Sequence, residues 1–332
     1  MIKPRAVVIS DIHYNINTLA VADAALRQAV AKSNELKVPL IIAGDLHDTK
    51  ANIRGECIKA MLQTLFLTTQ AVYILRGNHD SINERSTDHS LEFLTHLSIV
   101  IDVPWYAPEL GVYLIPYHHD ADALRAYLST LPPDSTLIMH QGVSGSSAGE
   151  YIQDKSALTN DDAASFRVIS GHYHTRQDIK TGTTGLWSYI GNPYTLNFGE
   201  CKDPEKGFRV LMSDGHLEFV PTNLRKHVVI DIAFNDLNDG LKIPHRAELN
   251  DIVLVKVRGL LSQLTHLDKK VVAERLGLQQ AFRIDLIPTE NVRPLAVVKH
   301  TSNPELLDQL IDSSPDACIE QKTRLKALWK GL

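Results

Sequence analysis

Cysteine is scarce: the 332 residues hold three, Cys57, Cys201 and Cys318, with no CxxC pair among them. An odd, widely spaced set excludes a disulfide framework and a thiolate metal site, and reads as reduced, buried structural thiols. Long apolar runs are missing too. No stretch approaches the roughly 20 residues that span a bilayer. Asp11 and His13 interrupt the N-terminal run MIKPRAVVIS before it reaches signal-peptide length. The expectation is a cytoplasmic protein with no membrane partner. Clustered positive charge is the third absence: there is no Lys/Arg run, and the net charge is −5. Proteins that grip nucleic acid alone draw much of their affinity from neutralised phosphates. A polyanionic substrate would therefore need bound cations, a local patch or a partner subunit to help hold it. Internal repeats and low-complexity tracts are absent.

What is present is an alternation of short β-branched runs and amphipathic stretches. Arg5–Ser10, Pro39–Ala43 and Val72–Leu75 read as strands. Between and after them, helices are expected over Thr18–Leu36 (with Asn17 as N-cap), Arg54–Phe66 and Ser90–Leu97. Later strands are expected at Val112–Ile115, Thr136–Met139, Val168–Ile169, Trp187–Ile190 and Phe208–Met212. The pattern predicts an α/β layered fold with helices on the faces of a sheet. After Phe219 the character changes. Val228–Ala233, Ile252–Val257 and Phe282–Ile287 read as strands and Leu261–Leu276 as a helix, a small α/β module joined through Pro221–Lys226. From Asn303 to Leu332 two short helices are expected, with apolar stripes at Leu306, Leu307, Leu310 and Ile311 and at Ile319, Leu325, Leu328 and Trp329. The division is 1–222, 223–300 and 301–332.

Five polar clusters each begin where an expected strand ends: SDIH, GDLHD, GNHD, MHQG and SGHYH. Ligands in layered α/β folds gather at strand carboxyl ends, so these clusters can converge. They carry Asp11 and His13, then Asp45, His47 and Asp48, then Asn78, His79 and Asp80, then His140, then His172 and His174. Each cluster alone would pass for a turn or a solvated histidine. Together, carboxylate, imidazole and carboxamide donors without a thiolate suit divalent ions such as manganese, iron or zinc. Such a number of ligands, with one bridging carboxylate, fits a two-metal site of the kind used for in-line attack at phosphorus. His118 and His119, in PYHHD, compete formally with His140. His140 is preferred because it ends the apolar run TLIM and precedes Gln141-Gly142.

The ordered series DIH, GDLHD, GNHD, His140 and GHYH resembles the calcineurin-like metallophosphoesterase superfamily over about the first 180 residues. The resemblance implies a four-layer β-sandwich flanked by helices in place of a single open sheet, with the small α/β module as a cap and a C-terminal helical segment. It implies one divalent ion on Asp11, His13 and His174 and another on Asn78, His140 and His172, with Asp45 bridging. Manganese is the expected metal, with magnesium, iron or zinc as alternatives. His79 matches the family's histidine that contacts the phosphate or the leaving oxygen, and Asp48 the acid that orients it.

Two local features narrow the resemblance. Protein phosphatases of this family carry an arginine directly after the position of Asp48, where this chain has Thr49. The run Tyr189–Leu196, followed by Phe198-Gly199-Glu200 and Lys206-Gly207-Phe208, is similar to SbcD-type nucleases, and the Asp203–Phe208 wording to their compact phage-encoded relatives. That likeness implies a DNA exonuclease or endonuclease working in repair or recombination, in the host cytoplasm if phage-encoded. The implied partners are DNA and an ABC-type, SbcC-like ATPase docking on 301–332, with a homodimer through Arg54–Phe66 or Ser90–Leu97 as a further expectation. A small-molecule phosphodiesterase or nucleotidase on the same site is the alternative. The chain departs from the family pattern at Tyr14-Asn15, where an apolar residue and glycine are usual, and at His47, where an aromatic is usual. The extra imidazole of His47 is expected to face solvent.

Overall fold

The computed structural model of the protein describes residues 2–50, 52–83, 88–147, 157–203, 205–238, 251–278, 282–289 and 322. Along the chain, β1 (Pro4–Ile9), α1 (Leu19–Leu36), β2 (Leu40–Ile42), α2 (Gly55–Leu65), β3 (Val72–Leu75) and β4 (Ile99–Ile101) build one parallel unit. The chain then crosses to β5 (Trp105–Ala107), β6 (Val112–Ile115), α3 (Ala121–Leu128), β7 (Thr136–His140), β8 (Arg167–Gly171), β9 (Gln177–Thr181) and β10 (Gly185–Tyr189). It returns through β11 (Gly207–Met212), which pairs antiparallel with β1, and β12 (Leu217–Pro221). Two six-stranded sheets result, ordered β12-β11-β1-β2-β3-β4 and β5-β6-β7-β8-β10-β9.

The side-chain alternation of β1 shows why the strands read as continuous apolar runs. Ala6 and Val8 point between the sheets, where they join Ile41, Leu75, Leu114, Ile138 and Ile169. Val7 and Ile9 point the other way, onto Ala22, Leu26 and Ala29 of α1 and Met61 and Leu65 of α2. The second sheet repeats the logic, with Leu137, Met139 and Val168 packed with Leu124 and Leu128 of α3. Strands buried on both faces need no polar side. The order is helices, sheet, sheet, helix: the four-layer sandwich implied by the family resemblance, not a single open sheet.

A third sheet is all parallel, in the order β13 (His227–Ala233), β14 (Ile252–Gly259), β15 (Phe282–Pro288). Its core, including Ile230, Val253, Val255 and Ile284, is covered by Leu264 of α4 (Leu261–Leu264) and Val272 and Ala273 of α5 (Lys269–Arg275). The expected helix over Leu261–Leu276 is thus two pieces, because the Asp268 carboxylate accepts from Lys270 N at 2.8 Å and starts a new helix. The helix expected over Ser90–Leu97 is only a 3-10 turn, Glu92–Leu94. There the Thr95 and Ser98 hydroxyls bond main-chain carbonyls of Glu92 and Leu94. Helix α1 is capped at Thr18, not Asn17, and the Asn15 carboxamide accepts from the main-chain N–H of both. The C-terminal stripes from Leu306 onward and Cys318 lie outside the described residues. Cys57 is buried as expected, whereas Cys201 is only half-buried.

Candidate metal centre

Strands β1, β2, β3, β7 and β8 end at one edge of the sandwich, and the five polar clusters continue from them. The first two loops stay zipped past their strands: Asp11 N donates to Gly44 O at 3.1 Å and His13 N to Asp45 O at 3.1 Å. The tightness of the edge explains two motif glycines. A Cβ on Gly44 would run into the His140 ring, and one on Gly171 into Ser10 Oγ and Ala43 O. Asp11, His13, Asp45 and His172 all adopt positive φ, at 53°, 51°, 50° and 87°. Non-glycine residues seldom do so, and such conformations persist where the surroundings over-determine them, often at functional sites.

The donor atoms gather in three overlapping groups, Asp11 with His13 and His174, Asp11 with Asp45 and His140, and His13 with Asp48 and His79, the atoms of each lying within 4.8 Å of one another. His13 Nε2 faces His174 Nε2 at 3.1 Å. Asn78 Oδ1 lies 3.0 Å from His140 Nε2 and 2.9 Å from His172 Nδ1. Asp45 Oδ2 sits between the halves, 3.2 Å from His140 Nε2 and 3.9 Å from His13 Nε2. Asp11 belongs to the first two groups, a shared position that the sequence motifs give to Asp45 alone, and His13 to the first and third. The Asp11 carboxylate also accepts from His172 N at 3.1 Å.

The donor chemistry fits divalent cations. Two imidazole nitrogens 3.1 Å apart can share only one proton. Around them lie carboxylates and a carboxamide oxygen, so lone pairs converge where a hydrogen-bonded cluster would alternate donors with acceptors. No thiolate enters, which suits borderline or hard ions. Burial pushes the Asp45 carboxyl up, but the imidazoles of His140, His13 and His79 outweigh it and hold Asp45 well below the usual carboxylate range. Burial pushes His140 down, and the carboxylates of Asp45 and Asp11 reverse this to about 9.

His79 stands beside this centre, its ring 4.9 Å from that of His13. Its main-chain N–H donates to Asp45 Oδ1 at 2.8 Å. Asp48 holds it through its main chain: His79 Nδ1 lies 2.7 Å from the Asp48 carbonyl. The Asp48 carboxylate accepts from Asn15 Nδ2 at 2.9 Å and faces His13 Nδ1 at 3.4 Å, with a His79 ring nitrogen within 4.8 Å. The position expected to hold apolar-glycine thus supplies Asn15, which steers that carboxylate.

His47 does not face solvent. A bridge between Tyr14 and His47 turns its ring inward, where it is fully buried beside Phe93, and neither ring nitrogen has a hydrogen-bond partner. Burial pushes its pKa down, against the carboxylates of Asp80 and Asp45. His118 and His119 stack on each other at 5.5 Å, with His118 Nδ1 against the Asp120 backbone, and neither joins a donor group.

Motif reading gave no role to Glu200. Its carboxylate meets His174 Nδ1 at 3.0 Å, and burial, which would push it up, is overcome by His174 and the Lys206 ammonium, which hold it at about 2. Lys206 also donates to His174 O at 3.0 Å, and Tyr194 Oη donates to Ile12 O at 2.6 Å. The run quoted for its wording thus forms one wall of the centre. A link from residue 174 to 200 has no periodic signature in sequence.

The calcineurin-like phosphoesterase family matches residues 4–176, more than half of the chain. The protein belongs to that family, whose members use a dinuclear divalent metal centre, and it is a metal-dependent phosphoesterase. No curated protein matches the chain. Among solved structures, the chain is similar to one described as a novel archaeal phosphodiesterase, at 14% identity and a TM-score of 0.36, covering 67% of this chain and 99% of that one. Nothing about activity follows from that likeness. No helix among the described residues is long and apolar enough to cross a membrane.

Proposed function

We propose that the protein hydrolyses phosphodiester bonds in DNA as the nuclease subunit of an SbcCD-like assembly. The observation that carries this reading is the wall formed by 189–208, the run similar to SbcD-type nucleases, which grips His174 from both its ring and its carbonyl. Charge supports a diester. A phosphomonoester brings a second negative charge, and protein phosphatases of this family carry an arginine after the Asp48 position. Here Thr49 stands there, and the buried Arg76 donates to Ser81 Oγ and Tyr117 O.

In this reading Asp11, His13 and His174 would hold one ion and Asn78, His140 and His172 the other, with Asp45 available to both. Two divalent ions, manganese in the first instance, would supply Lewis-acid polarisation of the phosphoryl oxygens and lower the pKa of a bound water. The chain's residues do the rest. Main-chain acceptors fix two rings: Ala43 O accepts from Nδ1–H of His140 at 2.8 Å, and Asp48 O accepts from Nδ1–H of His79 at 2.7 Å. His79 Nε2 is then the end that hands a proton to the departing sugar oxygen. The module of 223–300 faces the DNA as a cap, and 301–332, outside the described residues, docks the ATPase. That partner supplies the grip on DNA that a chain of net charge −5 does not provide alone.

The test is cleavage of end-labelled duplex and single-stranded DNA in manganese, beside a small phosphodiester reporter. DNA degradation dependent on Asp45 is expected. Brisk reporter hydrolysis with intact DNA would replace this reading with the small-molecule phosphodiesterase.

A further inference from the structure

The imidazoles of the centre are anchored unequally. His140 is fully buried, and its Nδ1 is fixed by the Ala43 carbonyl. The side chain of His13 is 2% exposed and is walled in by the Asp48 carboxylate. That of His174 is 31% exposed, at the rim. A rim imidazole that nothing held would rotate freely and exchange tautomers, placing its lone pair wrongly for much of the time. One side chain prevents this. Glu200 Oε1 lies 3.0 Å from His174 Nδ1, and its other oxygen accepts from Asn192 Nδ2 at 2.9 Å and Leu196 N at 3.0 Å.

The carboxylate is itself immobilised. Lys206 Nζ lies 3.3 Å from Glu200 Oε2 and 2.7 Å from Asp203 Oδ2, and also bonds Asn192 Oδ1. Asn197 Oδ1 accepts from Gly199 N at 2.8 Å and shapes the 3-10 turn Phe198–Glu200. On the far side of that turn, Phe198 meets His227 of β13 edge-on at 4.9 Å. The strand, the turn and the carboxylate form one rigid support ending on His174.

We propose that Glu200 is a positioning residue for His174, accepting the hydrogen bond from its Nδ1–H so that Nε2 presents a fixed lone pair to one of the two ions. This rests on the metal-centre reading given above. Carboxylate partners of this kind fix the tautomer and raise the basicity of a ligating imidazole, and losing one costs about 10–100-fold in metal affinity. The effect falls on one ion only, because His140, His172 and Asn78 belong to the opposite half of the centre.

The experiment is Co2+ titration of the metal-stripped full-length protein, followed by calorimetry and by the visible absorption of the bound ion, for wild type, Glu200→Ala and Glu200→Gln. Wild type is expected to show two binding events. Glu200→Ala weakens one of them by about 10–100-fold, shifts its absorption and leaves the other unchanged. Glu200→Gln keeps an oxygen acceptor without the charge, so it recovers part of the loss. If Glu200→Ala takes up both ions like wild type, or loses both equally, the positioning role is overturned. No binding by wild type would instead overturn the metal-centre reading itself.

Discussion

The edge of the sandwich and the three-stranded module use burial in opposite ways. At the edge, Asp11, Asp45, His13 and His140 are buried charged or polar groups, and three of them sit on backbone of positive φ. In the module, the buried set is mostly apolar, Ile230, Val253, Val255, Val257, Leu264 and their neighbours, with His227 and Asp251 buried where β13 and β14 begin. No candidate metal group is found there among the described residues. Buried ionisable groups and left-handed backbone both cost stability. The sandwich can carry that cost because its strands are covered on both faces and its loops stay hydrogen-bonded beyond the strand ends. The module's core is apolar, and its strand β13 rests against Thr195 and Phe198. Chemistry and the residues that position it therefore belong to the edge, and the module packs against the turn that carries Glu200.

The largest effect that would sharpen this contrast is on His79. His79→Ala should keep metal and DNA binding and lose turnover by about 10²–10⁴-fold, as expected when a proton donor is removed. Loss of the metals in that variant would move His79 into the ligand set. Leu264→Ala should destabilise the module by about 2–5 kcal/mol in chemical denaturation. Metal uptake by the sandwich should not change, and coupled loss of both would break the division of labour.

His47→Phe should stabilise the sandwich by about 1 kcal/mol, since it removes two buried nitrogens without partners. A lower melting temperature would mean that buried water satisfies those nitrogens. The smallest effect concerns pH at the junction. Burial depresses His227, and Arg225 depresses it further, against the Thr195 hydrogen bond and the carboxylates of Glu200 and Asp251. Its folded pKa lies below the ordinary 6.5, so as pH falls through that value the unfolded chain takes up the proton first, and stability is lost. The stability advantage of wild type over His227→Gln should shrink between pH 7 and pH 5.5 in parallel urea titrations. A constant difference would remove His227 from the account.

Much of this edge could be read in the sequence because apolar runs stop abruptly at glycine or a polar residue, as at Ile42-Ala43-Gly44-Asp45. Strand ends announce themselves that way, and donor types announce metal chemistry. Short or polar edge strands such as Ile99–Ile101 and Gln177–Thr181 carry no such signal and were not expected. The direction of the Asp48 carboxylate was also hidden, since only Asn15, brought in by the zipped loops, decides it. The inward turn of His47 depends on its bridge to Tyr14, and Glu200 acquires its place only when the chain folds back on His174. These are tertiary facts, and local spacing does not encode them.

Native mass spectrometry of the full chain loaded with manganese, with Asp45→Ala alongside, tests whether two ions share a centre that includes Asp45. Two ions per wild-type chain are expected, and fewer in the variant. A wild-type chain that carries one ion or none, or a variant that still carries two, would contradict that shared centre.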